Sequence, residues 1–131
     1  MSQPTIAIVG ASSDPSKFGH KAVKAYLKQG YEVFPINPKG GEIAGCTVYA
    51  TLADVPAERL DRITVYLPPA VGINMLEEFA AKEHGDLLFN PGSESDELLE
   101  KARELALEPI VACSIVDIGM SPSEVWGGCE F

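Results

Sequence analysis

The sequence predicts an α/β fold: a three-layer α/β/α sandwich around a parallel sheet of about five strands. Short apolar runs alternate with amphipathic stretches along the whole chain, which is typical of successive βα units. The apolar runs are continuous rather than alternating, as expected of strands that are covered on both faces. The chain has 131 residues, 46% of them hydrophobic, which suits one domain with its own core.

The first βα unit occupies the first 30 residues. Thr5–Val9 (TIAIV) is a β-branched run that Gly10 ends, which predicts a buried parallel strand. The loop GASSDPSKFG follows, and a helix is then predicted up to Gly30, where a glycine is favoured after a helix end. The apolar face of this helix consists of Phe18, Ala22, Ala25 and Tyr26.

Residues 31–36 (YEVFPI) predict a second strand, and Pro35 must occupy a strand end or an edge position because proline lacks the N–H that a central strand must donate. The sequence NPKGG that follows is predicted to be a loop. Val48 and Tyr49 indicate a short extended piece, and residues 51–60 indicate a helical turn or a short helix.

Three further strands are predicted in the second half of the chain, at residues 62–67, 86–89 and 109–112. Helical spacing marks one helix between the first two of them, through Val71, Met75, Leu76, Phe79 and Ala80. A second helix, capped by Ser95, follows through Leu98, Leu99, Ala102, Leu105 and Ala106. We therefore expect one domain over residues 1–131, within which residues 116–131 form a tail whose role stays open.

Composition and charge exclude several function classes. Ten Lys+Arg against nineteen Asp+Glu give a net charge of -9, which argues against nucleic-acid binding through a broad basic face. Cys46, Cys113 and Cys129 show no CxxC or Cys/His spacing, so neither a disulfide framework nor a metal site is expected. The N-terminus lacks signal-peptide features and no run of about 18 apolar residues exists, so we expect a cytoplasmic protein with no membrane partner.

Loops rich in glycine and proline follow the predicted strands, and ligands of parallel sheets bind at these carboxyl ends. The first loop places Gly10, Ala11, Ser12 and Ser13 before a helix N-terminus, with Gly19 further on, where backbone N–H groups attract phosphate. The simpler alternative is that this loop only turns the chain. Cations stand beside it in an acidic protein: Lys17, and Lys39 in the sequence Asn37-Pro38-Lys39.

Two other loops carry no titratable group at the strand end. Leu67, Pro68 and Pro69 end the strand of residues 62–67 with apolar surface, which suits the uncharged part of a ligand. Pro91 and Gly92 follow the next strand in the same way. Both loops could equally be plain connections between a strand and a helix.

Catalytic candidates are few, and none is assigned. His20 and His84 have no evident nucleophile beside them, and Cys113 follows an apolar run in which a buried thiol is common. The sequence lacks GxSxG, HExxH, P-loop and paired-carboxylate motifs. It also lacks GxGxxG, and Asn37 stands where an NAD site would have an acidic residue.

Taken in order, the segments GASSDPSKFG, FPINPKGG, VYLPP and FNPGSES resemble the small single-domain CoA-binding proteins, which are related to the CoA-binding domain of the succinyl-CoA synthetase alpha subunit. The resemblance runs from about Thr5 to Ile115. It implies a Rossmann-like fold and coenzyme A, or an acyl-CoA, as the ligand.

The resemblance also implies a role for each loop. Gly10 to Ser13 would contact the diphosphate, Asn37, Pro38 and Lys39 would lie by the adenosine and its 3′-phosphate, Leu67, Pro68 and Pro69 would flank the pantetheine arm, and Pro91 and Gly92 would lie near its path. A non-catalytic binding or regulatory module is favoured over an enzyme, because members of this size lack the ligase halves. Alternatives are an NAD(P)-binding oxidoreductase or redox-sensing domain, and an enzyme with Cys113 as nucleophile; a homodimer is also left open.

Overall fold

The computed structural model of the chain describes residues 3–113 and residue 115. It contains seven strands: β1 (Thr5–Val9), β2 (Glu32–Ile36), β3 (Glu42–Ile43), β4 (Cys46–Thr47), β5 (Arg59–Val65), β6 (Glu83–Phe89) and β7 (Pro109–Val111). Five of them form one parallel sheet in the order β2-β1-β5-β6-β7, which confirms the predicted sheet. Strands β3 and β4 pair with each other as an antiparallel hairpin.

Four α-helices connect these strands: α1 (Phe18–Lys28), α2 (Pro69–Gly72), α3 (Leu76–Ala81) and α4 (Asp96–Glu104). Short 3₁₀ turns occur at Leu52–Asp54 and at Ile73–Met75, between α2 and α3. No helix in the part of the chain described here is long and apolar enough to cross a membrane.

The two faces of the sheet are covered by different helices, as in the predicted α/β/α sandwich. Ile6 and Ile8 of β1 pack in one cluster with the buried side of α1 and with Ile115. Ala7 and Val9, which point to the other face, pack in a second cluster with side chains of α3 and α4. Both faces of β1 are therefore buried, which accounts for its continuous apolar sequence, and the chain has a Rossmann-like α/β fold.

Strand order reverses at β1, which lies between β2 and β5. Val9, the last residue of β1, is level with Ile36 of β2 and with Val65 of β5. The loops that follow these three strands therefore start side by side at one edge of the sheet. This is the switch point at which parallel α/β sheets bind ligands.

Several local predictions are confirmed. Pro35 lies in an edge strand, as its missing N–H requires. Gly30, with φ of +84°, follows the last residues of α1. Ser95 caps α4, since its hydroxyl accepts the N–H of Leu98 at 3.1 Å. Tyr49 is extended and forms a parallel bridge with Ile36.

The segment between β2 and β5 corrects two predictions. The hairpin β3–β4 was not expected, because a two-residue strand is too short to show alternating hydrophobicity in the sequence. Its turn contains Ala44 and Gly45, both with positive φ. Of the helical turn or short helix expected within residues 51–60, the turn is present at Leu52–Asp54, whereas Arg59 and Leu60 already belong to β5. Leu60 is level with His84 of β6 and is fully buried in the sheet.

Strand ends and the helix after β5 also differ from expectation. The predicted strand over residues 62–67 ends at Val65, because Pro68 sets the following turn. The helix behind it is interrupted by the turn at Ile73–Met75. Strand β6 begins at Glu83, before the predicted start at residue 86, and therefore includes His84. Helix α4 ends at Glu104, and Ala106 takes a positive φ of 62°.

Candidate ligand-binding site

A cleft of about 470 Å³ opens at the carboxyl ends of β1, β2 and β5. Nine residues that the sequence analysis selected line it: Gly10, Ala11, Ser12, Lys17, Gly19, Asn37, Leu67, Pro68 and Gly92. Ser13, Pro38, Lys39, Pro69 and Pro91 were selected too; they do not line the cleft, but each adjoins a lining residue in the chain or lies one residue beyond it. Phe18 and Tyr66 line the cleft and were not selected.

Two glycines allow the loop after β1 to lie against its neighbours. Gly10 has φ of +90°, and a Cβ there would lie 3.0 Å from the carbonyl carbon of Tyr66. A Cβ on Gly19 would overlap the carbonyl oxygen of Gly10 and lie 3.1 Å from the Cα of Ala11. The start of α1 therefore approaches the end of β1 more closely than a side chain would permit.

Hydrogen bonds fix the path of this loop. The N–H groups of Gly10 and Ala11 both donate to the carbonyl oxygen of Ile36, at 3.2 and 3.3 Å. The Asn37 amide donates from Nδ2 to the carbonyl oxygen of Ala11 at 2.8 Å, and its Oδ1 accepts the N–H of Lys39 at 2.9 Å. The loops after β1 and β2 are thus tied into one unit.

Further along the loop, Asp14 organises the approach to α1. Its carboxylate accepts the N–H of Ser16 at 3.0 Å and the Ser16 hydroxyl at 2.7 Å. The backbone hydrogen bond from Ser16 is the largest cause that lowers the pKa of Asp14, followed by the hydroxyl bond, so the group is ionised at neutral pH. The Asp14 N–H in turn donates to the hydroxyl oxygen of Ser12 at 3.0 Å.

Two lysines, Lys17 and Lys39, lie next to the cleft, and neither forms an ion pair with the described residues. Lys17 is the residue before α1, and its side chain does not cap the helix. Lys17 and Lys39 are both exposed. The N–H groups of the first helical turn and these two ammonium groups therefore supply positive potential at one side of the cleft.

The part of the cleft next to the end of β5 is apolar. Leu67 and Pro68 lie there, next to the end of β5. Behind them the fully buried Asn90 donates from Nδ2 to the hydroxyl of Thr64 at 2.6 Å and to the carbonyl oxygen of Val65 at 2.9 Å. This side chain joins the ends of β5 and β6, and Gly92 follows with φ of +98°.

The remaining chemical candidates lie elsewhere. His84 lines a second cleft of about 500 Å³ between the sheet edge at β6 and β7 and the chain after α4, and its Nδ1 lies 2.6 Å from the carbonyl oxygen of Lys82. Cys113 is half-buried and packs against the cluster under α1. Within residues 3–113 and 115 no group of three His, Cys, Asp or Glu side chains could hold a metal ion.

Sequence reasoning missed three residues of the cleft region. Phe18 was interpreted as part of the core-facing side of α1, and periodicity alone does not distinguish a core side chain from one at a cleft border. Tyr66 precedes the apolar segment Leu67–Pro69 and was not itself selected. His20 was considered only as a catalytic candidate, whereas its Nδ1 lies 2.8 Å from the carbonyl oxygen of Ser12. Its position directly after Gly19, a residue that lies against the loop, could have indicated that His20 contacts this loop.

Comparison with known proteins adds evidence of relationship. The chain is 33% identical over 84 residues to the acetate–CoA ligase (ADP-forming) I subunit alpha of Pyrococcus furiosus, covering 60% of this chain and 18% of that protein. It is 33% identical over 106 residues to an ADP-forming acetate–CoA ligase of Methanocaldococcus jannaschii, covering 78% and 15% respectively. The chain thus spans less than a fifth of the length of these curated relatives.

Similarity also extends to a solved structure of comparable size. A conserved hypothetical protein from Pyrococcus furiosus superposes with a TM-score of 0.80 and 34% sequence identity, over 87% of this chain and 98% of that one. The family model described as a CoA binding domain matches residues 4–119, nearly the whole chain. The fold, the cleft at its switch point and this match agree, and the chain belongs to the CoA binding domain family.

Proposed function

We propose that this chain binds coenzyme A in the cleft at the carboxyl ends of β1, β2 and β5. Its relatives named as acetate–CoA ligases act on CoA, which supports the same ligand class here. The observation that carries the proposal is the division of the cleft lining between polar residues, among them Ser12 and Lys17, and apolar ones such as Leu67 and Pro68. Coenzyme A has the same division, with a phosphate-rich head and an uncharged arm.

The diphosphate is assigned to the loop after β1. Gly10 keeps a side chain out of the cleft, and Ser12 offers a hydroxyl there, with Ser13 beside it. The N-terminus of α1 points at the same place, with Gly19 in its first turn, and a helix N-terminus favours negative charge. Lys17 adds a positive charge at the helix start.

The adenosine end with its 3′-phosphate is assigned to Asn37, Pro38 and Lys39. The loop that carries them is held against the first loop through the amide of Asn37. Lys39 is exposed and unpaired among the residues described, so its ammonium group can meet a phosphate without breaking an ion pair. In a chain of net charge -9, such a local cation makes the electrostatic potential at this loop favourable for an anion.

The pantetheine arm is assigned to the apolar side, along Leu67, Pro68 and Pro69 and on towards Pro91 and Gly92. Proline loses little conformational entropy when a ligand covers it, so this surface favours an uncharged chain. The proposed role is a binding or regulatory module without catalysis, and the described residues that line the cleft include no His, Cys, Asp or Glu.

Replacing Lys39 tests the assignment of the 3′-phosphate. With ligand-stripped protein, Lys39→Ala is expected to raise the Kd for CoA by about fivefold, as the loss of one exposed charge pair predicts. The Kd for dephospho-CoA should change much less, because that ligand lacks the 3′-phosphate. Isothermal titration calorimetry measures both values.

Lys28→Ala is the matched control, because Lys28 is an exposed lysine in the last turn of α1, at the end remote from the cleft. This variant removes the same charge and should bind both ligands like the parent. Absence of CoA binding by the parent at millimolar ligand would overturn the proposal. Tighter binding of NAD than of CoA would favour the oxidoreductase or redox-sensing alternative.

A further inference from the structure

Two side chains hold two successive carbonyl groups of the loop after β1. The Asn37 amide donates to the carbonyl oxygen of Ala11 at 2.8 Å, and the His20 ring nitrogen Nδ1 lies 2.8 Å from the carbonyl oxygen of Ser12. These side chains come from different elements, since Asn37 follows β2 and His20 lies in the first turn of α1. The orientation of two adjacent peptide groups is therefore set from outside the loop.

The state of the His20 ring follows from its partner. A carbonyl oxygen only accepts hydrogen bonds, so Nδ1 must carry a proton and donate it. The side chain is buried, with 8% of its surface exposed, and this restricts the ring to one orientation. His20 therefore acts as a fixed donor to the Ser12 carbonyl.

The two hydrogen bonds to the carbonyl groups also set the directions of the N–H groups of Ser12 and Ser13. In a trans peptide the C=O and the following N–H point in opposite directions. With the Ala11 and Ser12 carbonyls held by Asn37 and His20, the N–H groups of Ser12 and Ser13 point away from those side chains. Within the described part of the chain, neither N–H donates to a protein group.

The Ser12 side chain completes this arrangement. Its hydroxyl oxygen accepts the N–H of Asp14 at 3.0 Å, so the hydroxyl hydrogen remains available for another acceptor. Ser12 lines the cleft. Two consecutive residues therefore offer three hydrogen-bond donors, the two N–H groups and the Ser12 hydroxyl, that no described protein group accepts, and anion-binding loops use such successive donors.

We infer that His20 and Asn37 are positioning residues, which aim the N–H groups of Ser12 and Ser13 at the diphosphate of the bound nucleotide. The inference rests on the proposed function, because it concerns the same cleft. His20 itself does not contact the ligand. It acts by holding the loop in its binding conformation before the ligand arrives, which removes an ordering cost from association.

Three substitutions of His20 separate a positioning role from a packing role. In His20→Asn the amide nitrogen is as many bonds from Cα as Nδ1 is, so it can still donate to the Ser12 carbonyl. In His20→Gln the amide nitrogen lies one bond further out, and His20→Leu has no donor. We expect His20→Asn to bind CoA within about threefold of the parent, and the Gln and Leu variants to bind about tenfold more weakly.

A second ligand and a direct probe make the test specific. Adenosine 3′-phosphate lacks the diphosphate, and its affinity should be equal in all four proteins. In ¹H–¹⁵N spectra of the parent and of His20→Asn, the amide signals of Ser12 and Ser13 should shift on addition of CoA. Thermal unfolding of each variant shows whether it is folded, and the Asn and Gln variants decide the question if His20→Leu is not.

The outcomes distinguish the two proposals. If the parent binds CoA and the Gln and Leu variants bind it equally well, the positioning role is wrong and the proposed function stands. Equal weakening in all three variants, or equal weakening for adenosine 3′-phosphate, assigns His20 to packing and also overturns the inference. If the parent does not bind CoA, the proposed function fails, and the inference fails with it.

Discussion

At the scale of single residues, Asp61 and Thr5 show how one polar pair joins two strands. The Thr5 N–H donates to the Asp61 carboxylate at 2.8 Å, and the Asp61 N–H donates to the Thr5 hydroxyl oxygen at 3.0 Å. Arg59 adds an ion pair with Asp61 at 2.9 Å. The backbone hydrogen bond from Thr5 is the largest cause that lowers the pKa of Asp61 below its usual range.

This lowered pKa predicts a pH-dependent contribution to stability. A carboxyl group whose pKa is lower in the folded state stabilises the fold above its unfolded pKa, and this contribution is lost as the pH falls through the folded pKa. Asp61→Asn should therefore cost about 1 kcal/mol of unfolding free energy near pH 7, a value kept small because the side chain is half-exposed. Urea unfolding across the pH range measures the cost.

The difference between parent and variant should be constant down to about pH 5 and should shrink below about pH 4. Glu58→Gln is the control, since Glu58 is exposed and makes no hydrogen bond or ion pair with the residues described. A difference for Asp61→Asn that stays constant below pH 4 would show that the ionised carboxylate is not the stabilising species.

At the scale of elements, the contact between β1 and α1 is decided by Gly19. A Cβ at this position would overlap the carbonyl oxygen of Gly10, so α1 would have to move away from the strand. Gly19→Ala should therefore lower the unfolding free energy by about 1–3 kcal/mol, as overpacking of a close contact does. It should also weaken CoA binding, because the loop after β1 would move with the helix.

Gly72→Ala is the matched substitution in another helix. Gly72 has φ of -61°, and the nearest atom to its added Cβ is a methyl carbon of Leu98 at an ordinary 3.5 Å. This variant should be as stable as the parent or slightly more so, since alanine favours helix. If chemical denaturation gives both variants the same unfolding free energy, the close approach at Gly19 does not limit the fold.

The elements that the sequence predicts best are those with a long, uniform pattern. β1 and α1 carry an unbroken apolar run and a clear helical face, and the structure has both. The hairpin β3–β4 could not be predicted, because its two-residue strands are formed by pairing and by a turn at Ala44 and Gly45. The start of β5 at Arg59 was missed because pairing with β6, not apolar character, extends the strand.

At the scale of the whole molecule, the net charge of -9 is compatible with the proposed anionic ligand. Net charge governs the long-range field around the protein, whereas the potential inside a cleft depends on the charges beside it. Lys17 and Lys39 border one cleft, while the surface as a whole is acidic. The lining residues of that cleft could be predicted in large part, because loops at the carboxyl ends of parallel strands meet at one edge. The positions of Phe18 and Tyr66 in the lining, and of His20 against the Ser12 carbonyl, could not be predicted, because they depend on side-chain packing.

Binding in a cleft built from the loops of several strands should stabilise the whole domain. A ligand that binds the folded state alone, at about 100 times its Kd, adds about 2.7 kcal/mol, which corresponds to a Tm rise of roughly 10 °C for a domain of this size. Thermal scans with CoA should show this rise. NAD should give none, and an equal rise with NAD would contradict selectivity for CoA.

The central place of β1 in the sheet has a consequence for synthesis of the protein. Ile6 of β1 is level with Arg62 of β5, so β1 acquires its second neighbour only when residues more than 50 positions later have been made. Pairing over such a distance in sequence is slow compared with local contacts. During synthesis, β1 and α1 therefore keep apolar surface exposed until β5 has been made. A nascent chain that ends before β5 also lacks Leu67 and Pro68, apolar residues of the cleft.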